Sequence, residues 1–404
     1  MKKNVLLIGS ELGKGGAERS ISLLSYYLEP FYNVTLCILS GTDRQKFYKT
    51  CSSIVFIDPP ETNNIFSKIS AWRYRLNQIK ALKKKQQIDI SISFLEGPDY
   101  VNVLTKGKEK VTLSIRGSKM HDKEISGIMG SFRKRILIPW LYRKADSIVC
   151  VTDALCNELN QQFGIAKEKL LTIYNFYEVE NIREQAAEAL TPEEETIFSL
   201  PVIISSGRLH VAKEYDKLIA LFAKLKTKRA ARLMILGDGD KKHSLIRLCH
   251  SLNLITCDWQ ADRANNATAD VYFMGFQTNA FKFYKQSTLF ALASSWEGFP
   301  NVLAEALICE IPVVSTDCYT GPREILNQDE LQQTPTTVAI RTKVGSLLPL
   351  LQNPSAETNE MWIEEMTYWM KQDKIPPENF DELTNRYTLD TMLNKWKNVI
   401  ESKK

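Results

Sequence analysis

The chain has 404 residues, 44% hydrophobic and 25% charged, which allows two domains of ~200 residues, each with its own core. No apolar run approaches the ~18 residues of a membrane-spanning helix, and the apolar stretch near the start, Val5–Ile8, is too short for a secretory leader and reads as a buried strand. The net charge of +5 is uneven: residues 1–180 hold 27 Lys and Arg against 18 Asp and Glu, a net of +9, whereas residues 181–404 hold 25 against 29, a net of −4.

Along the first 180 residues, buried strands are expected at Val5–Ile8, Val34–Leu39, Ile54–Ile57, Ile90–Phe94, Val111–Ile115, Ser147–Val151 and Leu170–Ile173. Helical runs lie between them, which predicts one doubly wound α/β domain. The loop after the first strand contains Gly15 and Gly16 in GKGGAE, where glycine allows close backbone approach to a ligand. From Gly9 the spacing is G-x-x-x-G-x-G-G, not the G-x-G-x-x-G of a dinucleotide site, and this disfavours an NAD-dependent oxidoreductase.

A basic first half suits anionic lipid, diphosphate or nucleic acid. No nucleic-acid reader motif accompanies the charge. Two clusters stand out, Lys83 to Lys85 at the end of a helical run and FRKRILIPWLYRK from Phe132 to Lys144. The second has the composition of a segment lying at a membrane surface. A core helix with solvated basic ends explains its apolar residues slightly better. The eight cysteines include no C-x-x-C pair and suggest reduced cytoplasmic thiols. The four histidines lack metal-ligand spacing, so no zinc site is expected.

The acidic, strand-poor stretch from Glu178 to Phe198 suggests a linker at 181–199. A second domain, 200–384, is expected from strands at Val202–Ser205, Leu233–Leu236, Val271–Phe273, Thr288–Leu292 and Val313–Ser315. Arg208 and Lys213 fall in the turn after the first of these, a planar fork and a point charge suited to a diphosphate. The next two strands end in glycine turns, at Gly237 and at Gly275 followed by Phe276. The run WEGFPNVLAE, Trp296 to Glu305, then sets Glu297 and Glu305 with seven residues between them. On a helix this spacing is ~12 Å, about two turns, so both carboxylates would face one elongated ligand. In isolation such a pair is ordinarily a capping carboxylate and a surface glutamate. Its company argues otherwise, because ligands of open α/β sheets collect at the carboxyl ends of strands.

As an ordered set, GGAE at Gly15 to Glu18, GRL with Lys213 five residues after Arg208, LGDG at Leu236 to Gly239, EGFPNVLAE at Glu297 to Glu305 and IPVVSTDCYTGPREIL at Ile311 to Leu326 resembles the retaining glycosyltransferases of family 4. The likeness covers nearly the whole chain. It implies the GT-B fold, two doubly wound Rossmann-like α/β domains facing each other across a cleft, with a terminal helix at about 385–404 packed back onto the first domain. It further suggests bacterial enzymes that extend lipid-linked oligosaccharides.

The resemblance implies that Glu305 binds the ribose of a nucleotide sugar, UDP-linked by preference, and that Glu297 holds a hydroxyl of the transferred hexose. Arg208 and Lys213 would neutralise the diphosphate. The run Gly298, Phe299, Pro300, Asn301 and Val302 would position sugar and phosphate, and turns near Gly237 and Phe276 would frame the base. Gly15 and Gly16 would approach the diphosphate or the acceptor. No metal or other cofactor is needed in this scheme. Many relatives carry a histidine after the strand matching Val111–Ile115; here Arg116 stands there, and a permanently protonated guanidinium cannot act as a base near pH 7. The implied partners are a nucleotide sugar and a saccharide acceptor, with peripheral contact to anionic membrane at the inner face of the cell membrane. The alternatives are a non-catalytic nucleotide-sugar-binding subunit and a GT-B sugar-nucleotide epimerase. The loop Thr256–Asp270, longer than usual for the family, has no functional account.

Overall fold

A computed structural model describes residues 2–40, 44–60, 64–122, 125–261, 268–326, 334–372 and 375–403. The chain divides into two compact units, Met1–Phe176 with Leu389–Lys404, and Tyr177–Thr388.

The first unit is built on a seven-stranded, all-parallel sheet of β1 (Asn4–Gly9), β2 (Asn33–Ile38), β3 (Ser53–Phe56), β4 (Ile90–Phe94), β5 (Lys110–Ile115), β6 (Ser147–Cys150) and β7 (Leu170–Thr172), in the order β3-β2-β1-β4-β5-β6-β7. Its central strands are buried on both faces, which is why they read as continuous apolar runs rather than alternating ones. The helix Leu389–Glu401 lays Met392, Leu393, Trp396, Val399 and Ile400 on this core, with Trp396 stacked 6.1 Å from Phe94.

The second unit contains β8 (Val202–Ser206), β9 (Arg232–Leu236), β10 (Thr256–Asp258), β11 (Val271–Gly275), β12 (Leu289–Leu292), β13 (Val313–Thr316), β14 (Ile340–Arg341) and β15 (Gly345–Leu348). They are ordered β10-β11-β9-β8-β12-β13-β15-β14, and among the described residues only β14 and β15 pair antiparallel. Both sheets reverse their strand order once near the centre, between β1 and β4 and between β8 and β12. Such a switch point opens a crevice beyond the carboxyl ends of the two diverging strands.

Three sequence readings need correction. The acidic stretch read as a linker is folded: Val179–Ala186 and Pro192–Ile197 are helices of the second unit that bury Ile182, Ala186 and Ile197. A Thr191–Glu194 capping box starts the second of them, and Arg232 donates to the carbonyls of Thr196 and Ile197 at its end. The sequence looked like a linker because most of its acids face solvent; Glu194 is the buried one, paired with Lys282 at 2.7 Å. The lysine cluster is also divided, because Lys83 is buried against Glu109 at 2.9 Å and donates to Asn102. Finally, the helix after β12 begins only at Asn301, so Glu297 stands in the preceding loop and the two glutamates do not share a helix face. Of the loop Thr256–Asp270, the start is the edge strand β10, and residues 262–267 lie outside the described residues.

Candidate active site

In the second unit the switch point is lined by the turns that leave β8 and β12. Ser206 ends β8 and Gly207 follows it; then come Arg208, with an exposed side chain, and a single 3-10 turn, Val211–Lys213. Glu214 is held at φ 49° as that turn passes into the helix Tyr215–Lys228, an unfavourable left-handed conformation for a residue with a side chain. Across the crevice, the loop leaving β12 presents Glu297. Lys213 Nζ lies 2.6 Å from Glu297 Oε1, and both side chains are mostly buried, at 19% and 12% exposure. Of the residues singled out in the sequence, Lys213 and Glu297 are thus in direct contact, while Arg208 sits at the same strand end with its guanidinium toward solvent.

Backbone contacts fix the geometry of this pair. The Ser295 amide donates to the Ala212 carbonyl at 2.9 Å, tying the β12 loop to the β8 turn. Thr320, in the loop after β13, donates through its hydroxyl to the Glu297 carbonyl. Gly321, at φ 96°, packs so closely under Gly298 and Phe299 that a Cβ would lie 2.9 Å from the Gly298 carbonyl oxygen. The helix Asn301–Ile308 then starts at Pro300 with no side-chain cap, leaving its first turn suited to an anion. Asn301 accepts a hydrogen bond from the Tyr177 hydroxyl at 2.6 Å, and Phe299 packs edge-on against Tyr387. Glu305 lies on this helix, half-buried. Burial first, and the Glu305 charge second, hold the Tyr284 hydroxyl and the Cys309 thiol in their neutral forms.

The glycine turns close the same end of the sheet. The Gly207 amide donates to the Leu236 carbonyl at 3.0 Å, and the Gly237 amide to the Gly275 carbonyl at 2.8 Å. Gly237 and Gly275 have φ of 121° and 69°, and Phe276, immediately after, is exposed. Among the described residues no group of three or more His, Cys, Asp or Glu is placed to hold a metal ion. All eight cysteines are free thiols.

In the first unit Gly15 and Gly16 are exposed at the end of the loop after β1, Gly15 as N-cap with φ −72° and Gly16 as the first residue of the helix Gly16–Leu28. Gly15 therefore needs no glycine-only conformation. What a side chain there would meet is the carboxylate of Glu18, folded back over the helix start. Arg116 directly follows β5, its guanidinium 4.8 Å from the Phe94 ring centroid.

Sequence reasoning passed over a polar cluster beside it. Glu96, directly after β4, takes Nε and Nη2 of Arg133 at 2.9 and 2.7 Å and the Tyr100 hydroxyl, with Lys119 Nζ 3.7 Å away. Burial pushes the Glu96 carboxyl upward, but Lys119, Tyr100 and Arg133 outweigh it and keep the group ionised. Asp99 behind it is fully buried, accepting from Ser93 at 2.7 Å and Tyr142 at 3.2 Å. Burial pushes its carboxyl up to about 8 against those hydrogen bonds.

An acid whose folded value is raised contributes fully below the unfolded value of ~3.9, and this contribution fades as pH rises toward the folded one. Asp99→Asn, a permanent mimic of the neutral acid, is therefore expected to raise Tm relative to the native chain at pH 8 and to lose that advantage by pH 4. Melting curves across that range test it; an advantage that grows toward acid would overturn the assignment.

A doubly wound pair of units, with a cation–carboxylate pair at one switch point and an uncapped helix start beside it, defines a GT-B glycosyltransferase. The comparisons agree. Residues 192–365 match the family described as Glycosyl transferases group 1, and residues 14–181 match Glycosyltransferase Family 4. The chain is 31% identical over 324 residues to the N-acetylgalactosamine-N,N'-diacetylbacillosaminyl-diphospho-undecaprenol 4-alpha-N-acetylgalactosaminyltransferase of Campylobacter jejuni, covering 79% of this chain and 82% of that one.

Among solved structures, a glycosyltransferase from Rickettsia africae superposes with a TM-score of 0.71 at 18% identity, over 99% of this chain and 98% of that one. Anabaena HepE in complex with UDP gives 0.67 at 14% identity, over 100% of both chains. The chain belongs to the family 4 glycosyltransferases. Among the described residues, no helix is long and apolar enough to cross a membrane.

Proposed function

We propose that the chain is a retaining glycosyltransferase that moves a hexose or N-acetylhexosamine from a nucleoside-diphosphate sugar, with UDP favoured, to a saccharide carried on a polyprenyl diphosphate. The observation that carries this reading is the Lys213–Glu297 pair bridging β8 and β12, with Arg208 at the same strand end. A site for sugar transfer needs a cation for the departing diphosphate and a carboxylate for sugar hydroxyls, and here the two are held in contact. The Campylobacter relative, whose name specifies a diphospho-undecaprenol acceptor and N-acetylgalactosaminyl transfer, supports the acceptor class. HepE, solved with UDP, supports the nucleotide.

In the proposed reaction the bond from the anomeric carbon to the β-phosphate oxygen breaks as the acceptor hydroxyl forms a bond to the same face of that carbon. The acceptor proton passes to the departing phosphate. Arg208 and Lys213 stabilise the charge that develops on the leaving diphosphate, together with the first-turn amides of the helix Asn301–Ile308. Glu297 orients the sugar, Glu305 binds the ribose, and the segment Gly298 to Val302 positions both. The backbone near Gly237 and Phe276 borders the base. Gly15 and Gly16 of the first unit meet the diphosphate or the acceptor in this reaction, and Arg116 meets the acceptor. Two cations and a helix start serve in place of a metal ion, and the enzyme works at the inner face of the cell membrane.

Thermal-shift measurement against UDP, GDP, ADP and NAD, with EDTA present throughout, tests the reading. The expected result is selective stabilisation by UDP that Glu305→Ala abolishes. Stabilisation by NAD, or a response to UDP that EDTA removes, would overturn the donor class or the metal independence respectively.

A further inference from the structure

Each sheet has one switch point, and the strand beyond it ends alike in both units. In the second unit that strand is β12, and Ser295, Trp296, Glu297 and Gly298 come soon after it. In the first it is β4, whose end and continuation read Ser93, Phe94, Leu95, Glu96 and Gly97. Each unit thus sets a Glu-Gly step at its own crevice, where ligands of such sheets collect. In each, the glutamate faces a lysine from another strand end. Glu297 contacts Lys213, and Glu96 stands 3.7 Å from Lys119, in the loop after β5. The second pair is as sheltered as the first, Lys119 at 10% and Glu96 at 12% exposure.

The pairs differ in one respect that bears on binding. Lys213 and Glu297 are in hydrogen-bond contact, whereas Lys119 and Glu96 stop short of it. The hydrogen bonds that Glu96 accepts all fall on Oε1, from Arg133 Nε and Nη2 and from the Tyr100 hydroxyl. Among the described residues Oε2 accepts none and Lys119 Nζ donates none. A hydroxyl seated about 2.8 Å from each would donate to the oxygen and accept from the ammonium.

This gap is built in advance. Leu95, immediately before Glu96, stands at φ 73° and ψ 161°, a region that only glycine enters without strain. Glu158 fixes the backbone that carries the lysine, accepting from the Ser118 hydroxyl at 2.5 Å and from the Lys119 and Met120 amides at 2.7 and 3.2 Å. Arg133 comes from the helical run across 127–142, anchored by buried Ile138, Leu141 and Tyr142.

Charge selects the ligand. A phosphate oxygen would be repelled by Glu96 Oε2, and a metal ion would meet the cations Lys119 and Arg133. A neutral sugar hydroxyl satisfies both members of the pair. Burial works to raise the Glu96 carboxyl, but Lys119, Tyr100 and Arg133 outweigh it and hold the group below its ordinary range. Such a carboxylate accepts a hydrogen bond and is a poor base, so the hydroxyl it holds is not the one that reacts.

We infer that Glu96 and Lys119 bind a non-reacting hydroxyl of the acceptor saccharide and so set which saccharide the first unit takes. The proposal rests on the reading of the chain as a transferase to a saccharide acceptor, and the two fail at different steps of one experiment.

Transfer to N-acetylgalactosamine, N-acetylglucosamine and galactose, each carried on farnesyl diphosphate, is measured first with the native enzyme. The best acceptor is then compared with its monodeoxy analogues in the native, Glu96→Gln and Lys119→Met enzymes. Each substitution is expected to lower kcat/KM for the full acceptor about tenfold or more, the cost of a hydrogen bond to a charged group. Neither should lower it for the one analogue that lacks the bound hydroxyl, and stabilisation by UDP should match that of the native protein. A loss of the same factor for every analogue marks a structural role and overturns the proposal, as does a native-like rate in both variants. If Glu96→Gln lowers Tm by leaving Arg133 uncompensated, Lys119→Met decides, because its ammonium makes no hydrogen bond among the described residues. Failure of all three acceptors with native enzyme that UDP stabilises overturns the acceptor reading, and the proposal with it, before any variant is compared.

Discussion

Lys213→Ala is expected to lower kcat by ~10²–10³-fold, the usual cost of removing one preorganised electrostatic stabiliser from a site of this kind. The side chain is well placed for that effect. It is mostly buried, contacts Glu297 at 2.6 Å, and projects from a turn pinned by the Ser295–Ala212 hydrogen bond and by the strained Glu214. The charge is therefore in position before the diphosphate departs and needs little reorganisation. A purely structural role, holding Glu297 for the sugar, would also lower activity, so the test is a double-mutant cycle in single-turnover transfer. If Lys213 only positions Glu297, Lys213→Ala/Glu297→Gln will be no slower than Glu297→Gln. If Lys213 acts on the diphosphate, the double variant will be slower by a large further factor. A Lys213→Ala rate within a few-fold of the native enzyme would sink the assignment.

Much of this site was legible because strand ends announce themselves. The apolar runs of β1, β8, β9, β11 and β12 are buried and give way to glycine or serine within two residues, which puts Arg208, Gly237, Phe276 and Glu297 at carboxyl ends from the sequence alone. What could not be read was which ends are neighbours. Lys213 and Glu297 are 84 residues apart, and they meet because β12 pairs with β8, a fact of strand order rather than of local pattern. The hydroxyls of Thr320 and Tyr177 that brace the Glu297 loop and Asn301 carry no sequence signal, since nothing near them distinguishes a bracing hydroxyl from a solvated one.

Strands β10 and β14 have three and two residues, too short for periodicity to register, and each lies at the edge of its sheet. Charge was misread in two places for one reason, that composition does not reveal a partner. Lys83 is matched by Glu109, 26 positions away by number, and of the acids in residues 181–199 Glu194 is buried against Lys282 while the others lie on the exposed side of folded helices. The helix across 127–142 is divided by face, as an apolar run of cationic composition allows. Its exposed half follows from which side packs, and no sequence rule decides that.

Gly237→Ala should destabilise the second unit by about 2–4 kcal/mol, combining a left-handed backbone that alanine resists with an overlap that cannot relax. At φ 121° the residue occupies space that an L side chain rarely enters, and its Cβ would overlap the Gly207 carbonyl oxygen. Neither backbone can retreat. The Gly207 amide is bonded to the Leu236 carbonyl, the Gly237 amide to the Gly275 carbonyl, and the Leu209 amide to the Asp238 carbonyl. Moving Gly207 would also disturb the turn that carries Arg208 and Lys213, so transfer should fall together with stability. Gly97→Ala is the control: its Cβ meets nothing within 4 Å, it lies in the helix Glu96–Leu104, and alanine there should be neutral or stabilising by less than about 1 kcal/mol. Hydrogen exchange over residues 202–240 provides the reading specific to the second unit. Faster exchange confined to that unit is expected for Gly237→Ala, and protection equal to that of the native chain would mean that the three glycine turns do not brace one another.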